Sequence, residues 1–144
     1  MKKLEGWVTA PQGFIAAGVK AGIKASGNHD VAVIFSTVPA ACGAVFTQNK
    51  MCAAPVLVSR EVNKHGYAQA IAVNSGCANA CTGEQGLADA KKMQAHTAEL
   101  LGIAPEAVFV CSTGVIGQFL PMDKLLTGIA DAVDSLDECE GESC

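Results

Sequence analysis

Residues 107–117 read AVFVCSTGVIG, a short apolar run that ends in hydroxyls and glycines. The run is rich in β-branched and aromatic side chains and follows Pro105, so it predicts a buried strand over Ala107–Cys111. The small polar residues after it predict a turn over Ser112–Gly117. This segment decides the fold because helical patterns flank it on both sides.

The flanking segments have helical periodicity. Thr82–Gln85 fits the S/T-x-x-E/Q pattern, which predicts a capping box at the start of a helix, and Gly102 suits the residue that follows its end. After the central strand, Pro121 opens a second helix, whose apolar stripe extends to Leu136. The second half of the chain is therefore predicted as α-β-α.

The first half reads as short apolar runs separated by turn residues, which predicts strands. Several strands at close spacing without intervening helices favour antiparallel pairing. The predicted fold is α+β, a mixed α/β layered sandwich with a strand-rich first half. The predicted strands are Gly13–Ile23, Val31–Ser36, Gly43–Thr47, Pro55–Ser59 and Ala70–Asn74.

Charge is unevenly distributed along the 144 residues. The formal net charge is −4, but residues 1–130 hold ten bases against eight acids, and six acids with no base follow from Asp131. Arg60 is the single arginine and no basic stripe is present, which argues against a nucleic-acid binder. Half of the residues are apolar, which indicates a folded domain. Many of these are small, with 24 Ala and 15 Gly, so close packing with little buried area per residue is expected.

The cysteines and the N-terminus indicate the cytoplasm. Seven cysteines form no C-x-x-C pair, and the first residues lack the apolar run of a signal peptide. No stretch approaches the ~18 apolar residues of a membrane span. We therefore expect free thiols that pack as small apolar side chains. Cys77 and Cys81 are poorly spaced for zinc and the three histidines are scattered, so a thiol or metal protein is the weakest alternative.

The turn after the central strand is the first candidate for chemistry. Backbone N–H groups at such a corner can point at an anion or a developing oxyanion, Gly114 allows close approach, and Thr113 adds a hydroxyl donor. An ordinary glycine turn with polar caps explains the same residues. Both interpretations stay open on spacing alone.

The loop over Val73–Gly83 is the second candidate. It is dense in amides, hydroxyls and glycines, which can line a polar pocket or bond their own backbone. A nucleophile is not evident, since no pattern places a histidine beside Cys81 or Cys111 and no P-loop or GxSxG motif occurs. If the chain is part of an enzyme, we expect it to supply stabilising groups.

Taken together, the motifs resemble the N-terminal part of ornithine acetyltransferase, also called glutamate N-acetyltransferase, of arginine biosynthesis. The resemblance covers residues 5–136, with every stretch in the family's order. The matching stretches are Val8–Phe14, Ala17–Ile23, Ala44–Asn49, Ala53–Val56, Asn74–Ala80, Thr82–Gly83, Ser112–Gly117 and Leu120–Met122.

This resemblance implies a specific reaction. The family moves acetyl from N-acetylornithine to glutamate through an acetyl-enzyme, and some members also accept acetyl-CoA; no metal or other cofactor is expected. The precursor cuts itself into an α chain and a β chain, and the new N-terminal threonine of β is the nucleophile. The family's oxyanion pair falls on Thr113 and Gly114. Paired αβ units, forming a heterotetramer, are the implied assembly.

The resemblance also implies a boundary. Residues 1–136 correspond to the N-terminal portion of the α chain, whereas the acidic segment 137–144 does not follow the family pattern and is expected to be disordered. Family α chains continue further, so the fold is expected to be incomplete relative to the family domain. The nucleophile threonine is not in this chain, which alone is predicted to be inactive. The alternative is an inactive truncated fragment that acts only as a folded or partner-binding domain.

Overall fold

The structure, a computed structural model, describes residues 7–138. Within that range the chain forms a four-stranded sheet and three α-helices, with a single 3-10 turn at Pro105–Ala107. The mixed α/β fold predicted from the sequence is confirmed. In chain order the elements are β1 (Phe14–Val19), β2 (Val31–Ala41), α1 (Ala54–Asn63), β3 (Tyr67–Cys77), α2 (Gly83–Leu101), β4 (Val108–Val115) and α3 (Met122–Asp134).

The strands follow one another across the sheet in the order β1-β2-β3-β4. β1, β2 and β3 are antiparallel neighbours, as predicted, although α1 lies between β2 and β3, so the reasoning from strands without an intervening helix holds only for β1 and β2. β3 and β4 are parallel, so the antiparallel pairing predicted for the first half does not apply to this pair. The reason is α2, whose 19 residues carry the chain back along the sheet so that β4 begins at the same end as β3.

The hydrophobic core lies between the sheet and the three helices. One cross-strand row, Ala17, Val33, Ala72 and Val110, is buried in register across all four strands. The same core cluster contains fully buried side chains from the helices, so all three helices pack on this face. These include Val58 of α1, Met93 of α2 and Leu125 and Ile129 of α3.

Small residues set the distance between α3 and the sheet. A Cβ added to Gly128 would stand 2.5 Å from Cβ of Ala21 and 3.1 Å from Cγ2 of Val31. The helix therefore lies closer to β2 than any larger residue would allow. The abundance of Ala and Gly in the sequence serves this close packing.

Two predicted strands of the first half are wrong. Gly43–Thr47 has no regular secondary structure, and Pro55–Ser59 lies inside α1. Pro55 occupies the first turn of that helix, where its missing N–H has no helical partner to lose. The apolar residues of α1 recur every four positions and bury one helical face, which the short Val-Leu-Val run concealed.

The ends of the second-half helices were predicted with one error. α2 starts after Thr82 and ends at Gly102, whose φ of 65° is left-handed, as predicted. The capping box is wrong, because Thr82 makes no side-chain cap hydrogen bond. Its hydroxyl instead donates to Oδ1 of Asn79 at 2.8 Å, and Gln85 Nε2 donates to Asp89 at 2.8 Å.

The chain after α3 returns to the sheet edge. Asp137 N donates to Ala16 O at 3.2 Å, and Ala16 N donates to Asp137 O at 3.0 Å, which forms an isolated antiparallel bridge to β1. Asp137 was expected to lie in a disordered segment, and the structure differs at this residue because it continues the sheet. Residues 139–144 of that segment lie outside the described residues.

Candidate active site at the end of strand β4

The Thr113–Gly114 corner is part of the parallel ladder between β3 and β4. Gly114 pairs with Gly76, and the strand continues to Val115, beyond the point where a turn was predicted. Gly114 has a φ of +133°, and a Cβ added there would stand 2.3 Å from the carbonyl carbon and 2.5 Å from the carbonyl oxygen of Gly76. Because the contacts are to backbone, any side chain at position 114 would displace one strand. At this pair of glycines the backbones of β3 and β4 leave no space for a side chain between them.

The backbone of β4 alternates between its neighbour β3 and the free edge of the sheet. Ser59 Oγ accepts from Val110 N at 3.3 Å and donates to Val110 O at 3.0 Å, so both backbone groups of Val110 face α1. Strand residues two apart face the same way. The N–H of Gly114, four residues on, therefore points to the free edge rather than into the ladder. Thr113 is exposed beside it.

Backbone bonds beyond the ladder brace this corner. Ala78 N donates to Val115 O at 2.9 Å and Gly117 N donates to Ala80 O at 2.9 Å, so the loops after β3 and β4 remain paired. Behind them, Asn74 Nδ2 donates to Cys77 O at 2.9 Å. A corner held along its β3 side presents its donors in a fixed direction, as stabilisation of an oxyanion requires.

The two side-chain amides of the 73–83 loop bond the backbone, as one of the two interpretations of that loop expected. Asn74 and Asn79 are fully buried, and Asn79 Nδ2 donates to Gly86 O at 2.9 Å. Asn79 and Cys81 adopt left-handed φ values of 43° and 59°, which fit the tight entry into α2. These side chains shape the loop behind the corner rather than lining an open polar pocket.

A mostly apolar cavity of about 630 Å³ lies along the free edge of β4. Its walls come from β4, from Ile71 of β3, from α1 and from the end of β2 with the irregular segment after it. They include Phe46, Pro55, Phe109 and Ser112. The hydroxyl of Ser112 and Oδ1 of Asn74, which are register partners on neighbouring strands, are buried without a hydrogen-bond partner. The sequence pointed to the corner that contains Ser112 but not to the cavity, because the cavity walls come from segments that are distant in sequence.

The thiols are placed differently from the expectation of buried, structural cysteines. Cys77 is buried, Cys42 and Cys52 are half-buried, and Cys81 and Cys111 are exposed, all five of them free. Desolvation by partial burial raises the pKa of the Cys111 thiol, which favours the neutral form over the nucleophilic thiolate. Cys139 and Cys144 lie outside the described residues. Cys111 is thus poorly suited to attack a substrate, although it is close to the corner in sequence.

Two further findings concern residues 7–138 alone. No group of three or more His, Cys, Asp or Glu side chains in this part of the chain is placed to hold a metal ion. Nor is any helix there long and apolar enough to span a bilayer.

Comparison with known proteins decides the family. A family model described as ArgJ family matches residues 15–143. The chain belongs to the ArgJ family. The match continues past Leu136, the boundary that the resemblance implied.

Individual ArgJ relatives agree with this assignment. The arginine biosynthesis bifunctional protein ArgJ of Caldanaerobacter subterraneus subsp. tengcongensis is 54% identical over 136 residues, which are 94% of this chain and 34% of the relative. The protein of the same name from Lactococcus lactis is 52% identical over 130 residues, 90% of this chain and 33% of the relative. The chain thus spans about a third of the length of the curated relatives it matches.

Solved structures of ArgJ proteins share the fold. Ornithine acetyltransferase from Mycobacterium tuberculosis, solved in complex with ornithine, superposes with a TM-score of 0.92 at 46% identity, covering 95% of this chain and 75% of that chain. ArgJ from Bacillus halodurans superposes with a TM-score of 0.86 at 45% identity, covering 94% of this chain and 71% of that chain.

Proposed function

We propose that this chain is the N-terminal, α-chain portion of an ornithine acetyltransferase, which moves acetyl from N-acetylornithine to glutamate in arginine biosynthesis. In this proposal Thr113 and Gly114 stabilise the oxyanion, and a β chain supplies the N-terminal threonine nucleophile. The observation that carries the proposal is the Gly76–Gly114 contact, which fixes a backbone N–H at the free edge of β4 beside an exposed threonine hydroxyl. Family membership supplies the reaction class.

The chemistry follows from these donors. The threonine hydroxyl of the β chain attacks the acetyl carbonyl carbon, and negative charge develops on the carbonyl oxygen. The N–H of Gly114 and the hydroxyl of Thr113 donate to that oxygen, the C–N bond to ornithine breaks, and the released amine takes a proton. The amine of glutamate then attacks the carbonyl carbon of the acetyl-enzyme, and the same donors act on the second oxyanion. The ester C–O bond to the threonine breaks, the amine loses a proton, and the threonine oxygen regains one.

The lengths of the relatives support a protein of two chains. Aligned residues make up 75% of the solved Mycobacterium tuberculosis chain but 34% of a curated relative. The solved chain is therefore less than half as long as the curated relative, which is expected if a precursor is cut. We propose that αβ pairs assemble as a heterotetramer in the cytoplasm, without a metal or cofactor, and that acetyl-CoA can serve as a second donor.

The test is to co-express the chain with a β chain and to change the hydroxyl donor. Thr113→Val should lower kcat by about 10²–10³-fold, the usual loss for one oxyanion donor, with folding unchanged because the side chain is exposed. Thr127→Val, at an exposed position of α3, is the matched control and should leave kcat unchanged. Equal kcat values for the two variants would refute the role of the Thr113 hydroxyl.

A second candidate is an inactive fragment that acts only as a folded or partner-binding domain. It is favoured by one observation, a row of large, half-buried apolar side chains (Ile34, Ile71 and Phe109) on the face of the sheet opposite the helices. Acetyl transfer by the co-expressed chains would exclude it, whereas a correctly assembled but inactive pair would favour it.

A further inference from the structure

We propose that Asp30 is a positioning residue for the Thr113–Gly114 corner. It holds the loop over residues 21–24 in place, and this loop is the surface against which Gly76 packs. Gly76 in turn sets the position of Gly114. The catalytic meaning of this relay rests on the proposed function, but the relay itself is a property of the chain.

The first link is the bonding of the Asp30 carboxylate. The side chain is 3% exposed and lies beside the turn after β1. Its Oδ1 accepts from Ala21 N at 2.7 Å, and its Oδ2 accepts from Ile23 N at 2.6 Å and from Lys24 N at 2.8 Å. One carboxylate thus satisfies three backbone donors of a loop that has no regular secondary structure.

The charge on Asp30 is maintained by these bonds. Desolvation by burial opposes ionisation, but the backbone donors and the nearby Lys24 ammonium outweigh it, so the pKa of Asp30 is lower than that of an ordinary aspartate. Lys24 Nζ itself donates to His29 O at 2.8 Å, which closes the loop on its outer side. At neutral pH the loop is therefore organised around a buried carboxylate.

The second link joins this loop to Gly76. A Cβ added to Gly76 would stand 3.1 Å from Cγ2 of Ile23, 3.1 Å from Cγ of Lys24 and 3.4 Å from the Lys24 backbone nitrogen. The loop is thus in close contact with the end of β3, and a side chain at position 76 would force the loop to move by a few tenths of an ångström. Asp30 also holds this strand end directly, because its backbone oxygen accepts from Ser75 N at 2.8 Å.

The third link is the contact between Gly76 and Gly114. The carbonyl group of Gly76 and the nitrogen of Cys77 all lie within 2.3–2.6 Å of the Cβ position of Gly114. Any displacement of the Gly76 peptide therefore changes the position of Gly114, and with it the direction of the Gly114 N–H. Stabilisation of an oxyanion depends on this direction. Asp30 therefore acts on the corner indirectly, first through the loop over residues 21–24 and then through Gly76.

The experiment follows the amide resonances of Gly76 and Gly114 in the ¹⁵N-labelled 144-residue chain. In Asp30→Asn, one face of the side chain becomes a donor that opposes the backbone N–H groups, so the loop should move and both glycine resonances should shift. Asp89→Asn is the matched control, a 5% exposed carboxylate on α2 that accepts from Gln85, and it should leave both resonances in place.

A second variant keeps the test decisive if Asp30→Asn does not fold. Ile23→Ala removes the Ile23 side-chain part of the contact with Gly76 and leaves the three bonds of Asp30 intact, so the glycine resonances should shift while that of Ala21 stays. Unchanged Gly76 and Gly114 resonances in Ile23→Ala would overturn the proposal.

Kinetics of the co-expressed α and β chains give the functional readout. Ile23→Ala and Asp30→Asn should lower kcat on the order of tenfold to a hundredfold with little change in KM, since a misplaced donor affects the transition state more than substrate binding. Shifted resonances with an unchanged kcat would overturn the catalytic part of the relay. If the wild-type pair shows no acetyl transfer, the proposed function fails, while the resonance shifts still decide whether Asp30 positions Gly114.

Discussion

Two neighbouring cross-strand rows of the sheet differ in side-chain size. The helix-covered row, Ala17, Val33, Ala72 and Val110, is made of small and medium residues that are fully buried. The opposite row places Ile34, Ile71 and Phe109 side by side, and all three remain half-buried. The helices lie so close to the sheet that large residues do not fit beneath them. The other face holds more apolar area than the described chain covers.

The two faces of the sheet should therefore contribute unequally to the stability of the chain. Removal of a buried side chain loses transfer free energy and leaves a cavity, whereas truncation of a half-buried one allows water to fill the space. The same substitution should therefore have different effects on the two faces. The candidate active site lies at the end of β4, on the free edge of the sheet between the two faces.

The largest effect is expected from Leu125→Ala in α3, since this side chain is fully buried against the covered row. We expect a loss of about 2–5 kcal/mol in the free energy of unfolding, measured by urea denaturation. Ile34→Ala, a truncation of similar size on the opposite row, should cost less than half as much. Equal losses would show that the two faces are packed alike and would contradict their unequal contribution to stability.

A smaller effect is expected from Asp30→Asn, which weakens a buried network at the margin of the sheet. The loss at pH 7 should be about 1.5–3 kcal/mol, the range for hydrogen bonds to a charged group. Because the pKa of Asp30 is lowered on folding, its contribution is complete above the unfolded value near 3.8 and is lost as the pH falls through the folded value. The difference between wild type and variant should be constant from pH 7 to 5 and should shrink below pH 3.8, as measured by thermal melts. A constant difference down to the lowest pH would contradict this assignment.

The smallest effect on stability is expected from Ile71→Lys, at the centre of the half-buried row. The free energy of unfolding should change by less than about 1 kcal/mol, since exposed and half-exposed substitutions remove little burial. Self-association of the isolated chain, measured by sedimentation velocity, should decrease because a charge interrupts the apolar row. Ala88→Lys, on the exposed side of α2, is the control and should not alter association.

Much of the fold could be predicted from the sequence where a single period dominates. The alternating or continuous apolar runs of β2, β3 and β4 and the helical stripe of α3 required no tertiary information. Helix α1 could not be recognised, because its Val-Leu-Val run has the composition of a strand and its helical state depends on packing against β4. The capping box failed because the backbone of Thr82, with ψ near 4°, is not in the extended conformation of a capping residue, and its hydroxyl bonds Asn79 instead.

The candidate site could be predicted in part. The turn chemistry and the family resemblance both indicated Thr113 and Gly114, but the sequence does not contain the register that places Gly76 against Gly114. That register arises only because α2 makes β4 parallel to β3. The buried carboxylate of Asp30 was also missed, since three backbone partners leave no pattern in the side chains.

The division of roles between this chain and the β chain is tested most directly by locating the acetyl group in the acetyl-enzyme. The co-expressed chains are mixed with N-acetylornithine in the absence of glutamate. After an acid quench, the mass of each chain is measured by mass spectrometry. If this chain supplies oxyanion stabilisation and its partner the nucleophile, the partner chain gains the mass of one acetyl group and the 144-residue chain remains unmodified. An acetyl group on the 144-residue chain would contradict the account.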